Sequence, residues 1–229
     1  MRVLVTGAAG NVAQQVLPAL EQRYEIRPVD LADGDLSDAA VAGLLVADAD
    51  AIVHLAGNAQ PGASWDELFA PNIVAVANIL AAARTTRVVL ASSIHAVGQY
   101  RHGFVDSHKP AAPCCSYGAS KAYAEAAAHS HCYRSNGSAI CLRLGACTPE
   151  PPARDALGHW LAPEDLQQLV ICALETPVRF AIAHGISANT GSRWSIANTI
   201  GYSPTQDSAQ YQDLVGDEPG WATCEGLQT

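Results

Sequence analysis

The chain has 229 residues, with 13 basic against 22 acidic side chains and a formal charge of −9. It is 49 % hydrophobic and only 15 % charged, which excludes a disordered chain and leaves enough sequence for a substantial core. The acidic balance argues against nucleic acid as a partner, and no run reaches the roughly 20 apolar residues of a membrane span.

In chain order, Arg2–Thr6 reads as a β-branched strand closed by Gly7, and Asn11–Gln22 as a helix. Tyr24–Val29 and Ala51–Leu55 read as further strands, followed by a long helical stretch, Trp65–Arg84, expected to break near Pro71. Arg87–Ser93 and Ser138–Leu144 are strand-like and flank a helix over Tyr117–Arg134. The loop Gly98–Cys115 is the longest, and beyond Cys147 only short elements are expected. Short apolar runs alternating with helices predict an α/β fold, a doubly wound parallel sheet of the Rossmann type. One domain is expected over residues 1–229, with 1–147 mainly a nucleotide-binding core and 148–229 a small substrate-side extension. The opening Met1-Arg2-Val3-Leu4-Val5 lacks the features of a signal peptide, so a cytoplasmic protein is expected. Its seven cysteines, Cys114, Cys115, Cys132, Cys141, Cys147, Cys172 and Cys224, are then mostly reduced and structural.

Thr6-Gly7-Ala8-Ala9-Gly10-Asn11-Val12-Ala13 joins the first strand to the first helix. Its glycines allow a tight turn and a close approach to a pyrophosphate, which the free N–H groups of the helix start would meet. An ordinary strand–turn–helix is the competing reading. Asp30 ends the second strand about 20 residues further on, where a carboxylate holds ribose hydroxyls and repels a 2′-phosphate. The expected cofactor is therefore NAD rather than NADP, with Asp35 and Leu36 as adenine-side contacts.

Tyr117-Gly118-Ala119-Ser120-Lys121 places a phenol and an ammonium one helical turn apart. Ser93 lies at the carboxyl end of a preceding strand, the edge where doubly wound sheets bind ligands. A phenol with a pKa of about 10 is a weak base at neutral pH; a nearby ammonium and an oxidised nicotinamide both favour its phenolate. Ser93 would orient the same substrate oxygen.

Together these segments resemble the extended short-chain dehydrogenase/reductases, the NAD-dependent epimerase/dehydratase family. The resemblance is carried by Thr6-Gly7-Ala8-Ala9-Gly10, His54-Leu55-Ala56-Gly57, Asn72-Ile73, Ala91-Ser92-Ser93, Tyr117-Gly118-Ala119-Ser120-Lys121 and Arg143-Leu144-Gly145. It implies Tyr117 as catalytic base or acid, Lys121 as its activator and a nicotinamide-ribose ligand, and Ser93 as the orienting hydroxyl. Gly7, Ala9, Gly10, Asn11, Val12, Leu55, Ala56, Gly57, Asn72 and Ala91 are its further cofactor contacts. A finer similarity is to uronate dehydrogenases and NAD-dependent glucose-6-phosphate dehydrogenases. It rests on Ser93-Ile94-His95-Ala96-Val97-Gly98, Gly145-Ala146-Cys147-Thr148-Pro149, His159-Trp160-Leu161, Gly185-Ile186-Ser187-Ala188-Asn189 and Gly201-Tyr202-Ser203-Pro204. The reaction it implies is oxidation of a cyclic sugar at C1 to a lactone.

The chain departs from that pattern on the substrate side. Ile94 stands where uronate dehydrogenases carry asparagine, and Ala146 and Ala59 stand where they carry serines. Asp155, with Arg154 one place earlier, falls where an arginine is expected. A neutral or phosphorylated sugar, or a less polar carbonyl compound, stays open beside a uronate; Arg101, His102, Lys109, Arg154 and Arg193 are the candidate cations for a phosphate. His95 is read as a sugar contact or a structural histidine, and Trp160 as a pocket wall or core. His129, His131 and Cys132 do not share one helix face, and no metal is expected. Cys114-Cys115 have no adjacent cation to activate a thiol. A nucleotide-sugar epimerase or dehydratase, a carbonyl reductase and a non-catalytic dinucleotide sensor are the alternatives. The expected partners are a small molecule, in the leading reading a sugar, and a second copy docked through the Trp65–Arg84 and Tyr117–Arg134 helices; no membrane is expected.

Overall fold

Residues 1–216 are described by the computed structural model. Strand β1 (Arg2–Thr6) leads into helix α1 (Asn11–Glu21), followed by β2 (Glu25–Val29), α2 (Ala39–Val46) and β3 (Ala51–His54). A helical run then comprises α3 (Trp65–Leu68), a π-helical turn (Phe69–Val74) and α4 (Ala75–Ala83). β4 (Arg87–Ser93), a 3-10 turn (Ile94–Val97), α5 (Ser116–Arg134) and β5 (Ser138–Leu144) follow. Short strands β6 (Ala146–Cys147) and β7 (Trp160–Leu161) precede α6 (Pro163–Glu175) and β8 (Phe180–Gly185).

Six strands pair in the order β2-β1-β3-β4-β5-β8, with every pair parallel. Both faces are covered, so strand interiors are apolar on both sides. Val3 and Val5 pack with α1 and α6 residues such as Val16, Leu20, Leu166 and Leu169. Leu4 and Ile52 face the opposite way, against Ala42, Ile79, Ala124 and Ala128 of α2, α4 and α5. This is the two-residue alternation of a strand buried in a three-layer fold. The chain turns from β1 to β2 on one side and returns to β3 on the other, and that reversal opens a crevice at the carboxyl edge of the sheet. The β2 edge carries Pro28, opposite Val5.

Two expectations need correction, and one helix adds to the expected elements. The 65–84 helix does not break: at Pro71 it widens into a π turn, closed by Ala75 N–H donating to the Ala70 carbonyl, so a residue without an N–H is taken up where the ladder changes register. A short helix, α2, follows Asp38, whose carboxylate accepts from the N–H groups of Ala40 and Val41. The region after Cys147 is not only short elements, because α6 and β8 complete the sheet. A division at Cys147 therefore does not follow the packing. The run Trp65–Ala83, 19 residues, is long and apolar enough to cross a membrane. Here it packs on α2 and α5, and its Asn78 donates to the carbonyls of Leu36 and Ser37. Cys224 lies outside the described residues.

Candidate active site

The turn after β1 is shaped by glycine. Gly7 has φ +70°, and a Cβ on it would meet the Ala56 nitrogen at 2.6 Å, so no other residue lets this turn lie against the loop after β3. Gly10 caps α1 without any side-chain hydrogen bond, leaving the first N–H groups of an 11-residue helix without a side-chain cap. The Asp30 carboxylate, at the end of β2, accepts from the N–H groups of Ala9 at 2.7 Å and Leu31 at 2.8 Å. Those two bonds hold its pKa below the usual carboxylate range. Gly7, Ala9, Gly10, Asp30, Asp35, Leu36, Leu55, Ala56 and Gly57 line one cavity. A second cavity of about 680 Å³ shares Gly7, Gly10, Leu55 and Gly57 with it, and adds Asn11, Val12, Ala91, Ser93, Tyr117 and Lys121. An uncapped helix start, a glycine cradle and a carboxylate at the neighbouring strand end fit a dinucleotide. Asn72 is the exception among the expected cofactor contacts. It is buried within the π turn, where it exchanges hydrogen bonds with the Asn58 backbone and donates to Ser120 Oγ at 2.9 Å. It therefore braces the Gly57 loop against α5 rather than lining the cavity.

Ser93, Tyr117 and Lys121 meet in the second cavity. Ser93 lies close enough to Tyr117 to pull its phenol pKa down, and its Oγ accepts from the His95 N–H at 3.2 Å. Lys121 donates to the Ala91 carbonyl at 2.9 Å, and its Nζ lies 5.7 Å from the centre of the Tyr117 ring. Burial pushes the Tyr117 phenol up to about 12, with Ser93 pulling the other way, and pushes Lys121 down to about 8. The expected easing of Tyr117 towards phenolate is thus not a property of the protein alone, because burial outweighs its neighbours. His54, at the end of β3, shares a hydrogen bond with Thr6 Oγ1 at 2.8 Å. Burial, then the Lys121 charge, lowers its pKa to about 3, so it is neutral.

One turn beyond Lys121, the Glu125 carboxylate receives both Nε and Nη2 of Arg143 at 2.8 Å and Ser92 Oγ at 2.6 Å. The pair is closed to water, with side-chain exposures of 1 % for Arg143 and 5 % for Glu125. It ties α5, which carries Tyr117 and Lys121, to β5 and to the residue beside Ser93 on β4. Such a bidentate pair fixes geometry as well as energy.

The substrate-side expectations divide. Ala59, Ile94, His95 and Ala146 line the cavity, together with Gln60, Pro61 and His159. Trp160 does not: it is fully buried, donates to the Thr148 carbonyl at 2.9 Å and packs edge-on to Tyr211. Its neighbour His159, the last residue of the 3-10 turn before β7, lines the cavity instead. Burial lowers the His159 pKa to about 4, with Asp155 opposing, so it is a neutral hydrogen-bonding group. Arg154 and Asp155 are exposed in a 3-10 turn outside the lining; Arg154 bonds the Val215 carbonyl. Arg193 bonds the Tyr100 carbonyl and stacks on Trp194, while Lys109 lies over Tyr100. Arg101 and His102 are exposed, also outside the lining. His129 packs on Phe180 while Cys132 bonds the Arg179 carbonyl, so those two diverge.

The profile of the NAD dependent epimerase/dehydratase family matches residues 3–150. The chain belongs to that family. Among curated members, the uronate dehydrogenase of Pseudomonas putida is 33 % identical, covering 95 % of this chain and 89 % of its own. The NAD-dependent glucose-6-phosphate dehydrogenase of Haloferax volcanii is 29 % identical, covering 91 % of this chain and 95 % of its own. A tyrosine-to-alanine mutant of the Agrobacterium tumefaciens uronate dehydrogenase, solved complexed with NAD, superposes with a TM-score of 0.87 at 28 % identity, covering 96 % of this chain and 91 % of that one.

Within this epimerase/dehydratase-family chain, two site features escape sequence reading. His159 is hidden beside a more conspicuous tryptophan. The Glu125–Arg143 pair does leave a signal: an arginine inside the run Ala139-Ile140-Cys141-Leu142-Arg143-Leu144 demands a buried carboxylate, and Glu125 shares a helix face with Lys121.

Proposed function

We propose that this chain is an NAD-dependent dehydrogenase that oxidises a neutral cyclic sugar at C1. The observation that carries this reading is the convergence of Ser93, Tyr117 and Lys121 on a cavity shared with the uncapped start of α1. NAD fits the turn at Gly7–Gly10, with Asp30 at its ribose, and supplies the hydride acceptor when bound. Ser93 orients the anomeric oxygen, Tyr117 takes its proton, and Lys121 sets the charge beside the phenol. The C1–H bonding pair leaves as hydride, and the sugar becomes a lactone. Gly7, Gly57 and the residues expected at the cofactor, Asn72 excepted, form the walls that hold it.

Neutrality of the substrate follows from the cavity wall. Among the described residues that line it, Lys121 is the only lysine or arginine, already engaged with Ala91, while Ala59, Ile94 and Ala146 offer no polar atoms from their side chains. A carboxylate or phosphate would enter without a paired cation, at a cost that hydroxyls hydrogen-bonded to His95 and His159 do not incur. The test is NADH formation with glucose, arabinose, glucose 6-phosphate, glucuronate and galacturonate. Turnover on the neutral aldoses supports the assignment; faster turnover on either uronate or on the phosphate overturns it.

The exposed aromatics Trp65, Phe69 and Tyr123 on α3, the π turn and α5 suit a homodimer, checked by sedimentation equilibrium. The buried thiols Cys132, Cys141 and Cys147 suit the reducing cytoplasm.

A further inference from the structure

Cys114 and Cys115 take no part in hydride transfer, yet they converge on His95. His95 Nδ1 stands 3.4 Å from Cys114 Sγ and 3.5 Å from Cys115 Sγ. All three atoms lie within 4.8 Å of one another. A tetrahedral zinc with bonds of about 2.3 Å to sulfur and about 2.05 Å to nitrogen sets S···N edges of about 3.6 Å and an S···S edge of about 3.8 Å. Both S···N edges therefore already lie within about 0.2 Å of a metal-bound arrangement.

The backbone builds this approach independently of the sulfurs. Gln99 N–H donates to the Ala112 carbonyl and Ala112 N–H to the Ala96 carbonyl, both at 2.9 Å, fastening the loop to the 3-10 turn that carries His95. Gly98 leaves the space that the Cys114 sulfur fills, and Gly118 lets the start of α5 lie against the His95 carbonyl; a Cβ at either would collide. Gly118 N–H donates to Cys115 Sγ at 3.3 Å, a contact that favours sulfur in its anionic, metal-binding form. Two thiolates and an imidazole select a soft or borderline cation over magnesium or calcium. These are the three ligands found among the described residues, and His95 borders the cavity with its ring edge-on to Tyr117 at 5.6 Å.

We propose that His95, Cys114 and Cys115 bind a thiophilic divalent cation of the zinc class, releasing both thiol protons, and that occupancy fixes the His95 proton on Nε2, so that the ring can no longer accept from a sugar hydroxyl, and slows turnover. The slowing rests on the dehydrogenase reading; the binding does not. Cobalt(II) titration of the reduced full chain under anaerobic conditions separates the two. The expected result is one equivalent of tetrahedral cobalt with visible d–d bands and a sulfur-to-metal charge-transfer band, both quenched by zinc. Cys114→Ser and Cys115→Ser should each weaken binding by more than roughly tenfold, the smallest effect of losing even an outer partner. Cys172→Ser should not change it, and circular dichroism confirms that each variant is folded. Six-coordinate cobalt without a charge-transfer band, or an unchanged signal in folded Cys114→Ser, overturns the site. Zinc binding that leaves NADH formation unchanged, or that inhibits wild type and Cys114→Ser alike, overturns the control of turnover while the spectroscopic result stands.

Discussion

Replacing Glu125 by alanine should be among the most damaging single changes in this protein. The carboxylate satisfies two guanidinium nitrogens at 2.8 Å and Ser92 Oγ at 2.6 Å, where both charges are almost wholly shielded from water. Without it, Arg143 keeps only the Ser107 carbonyl at 3.4 Å, and a full positive charge stays buried. Breaking such a pair from one side costs about 3–5 kcal/mol. For a chain of this size that corresponds to a fall in Tm of roughly 6–20 °C. Urea denaturation of Glu125→Ala and of the double variant Glu125→Leu/Arg143→Met gives the check. The double variant removes both charges, so it should recover most of the loss. A cost below about 1 kcal/mol for Glu125→Ala, or a double variant as unstable as the sum of its singles, refutes the reasoning. Because Lys121 and Tyr117 sit one and two turns back on the same helix, Glu125→Ala should also lower kcat in the fraction that remains folded.

Tyr117→Phe should cut turnover by about 10²–10⁴-fold while leaving NAD affinity nearly unchanged by calorimetry, since it removes only the proton path; normal turnover would exclude Tyr117 from the chemistry. Asp30→Ala should weaken NAD by roughly 1.5–3 kcal/mol and narrow the preference over NADP, and a wild type that already prefers NADP would contradict the role of Asp30. Stability should fall on acidification through three buried histidines. His54 is held near about 3, and His159 and His184 near about 4, chiefly by burial. Below about 6.5 the unfolded chain takes up protons that the folded chain refuses, so stability is lost as pH falls from there towards 4, by about 1.4 kcal/mol per pH unit for each histidine. Urea curves at pH 7 and pH 5 that superimpose would refute it.

The nucleotide half was legible because its devices are local. Gly7 and Gly10 fall between a β-branched run and a helix, Asp30 follows at the next strand end, and Tyr117 and Lys121 share one helix face. The second half was less legible. β8, Phe180-Ala181-Ile182-Ala183-His184-Gly185, has a single β-branched residue and becomes a strand by pairing along β5. α6 did carry a start signal, Pro163 followed by Glu164 and Asp165, the helix-opening pattern of proline and acidic residues. The substrate wall depends on which of two neighbours, His159 at the end of a 3-10 turn or Trp160 at the start of β7, turns inward, and no local pattern marks which. The meeting of Cys114, Cys115 and His95 depends on how a long loop folds back on the end of β4, which no spacing encodes.

Pro28 on the outer strand has a consequence for self-association. A sheet margin with open ladder groups invites a foreign strand and, repeated, fibrils. Here the margin is short, flanked by Glu25 and Arg27, and interrupted by a residue that has no N–H to offer. Growth by adding strands at β2 is disfavoured, because Pro28 removes a donor from the margin. That allows the protein to be concentrated, or fused to another domain at Met1, without turning that end of its sheet into a nucleus for aggregation.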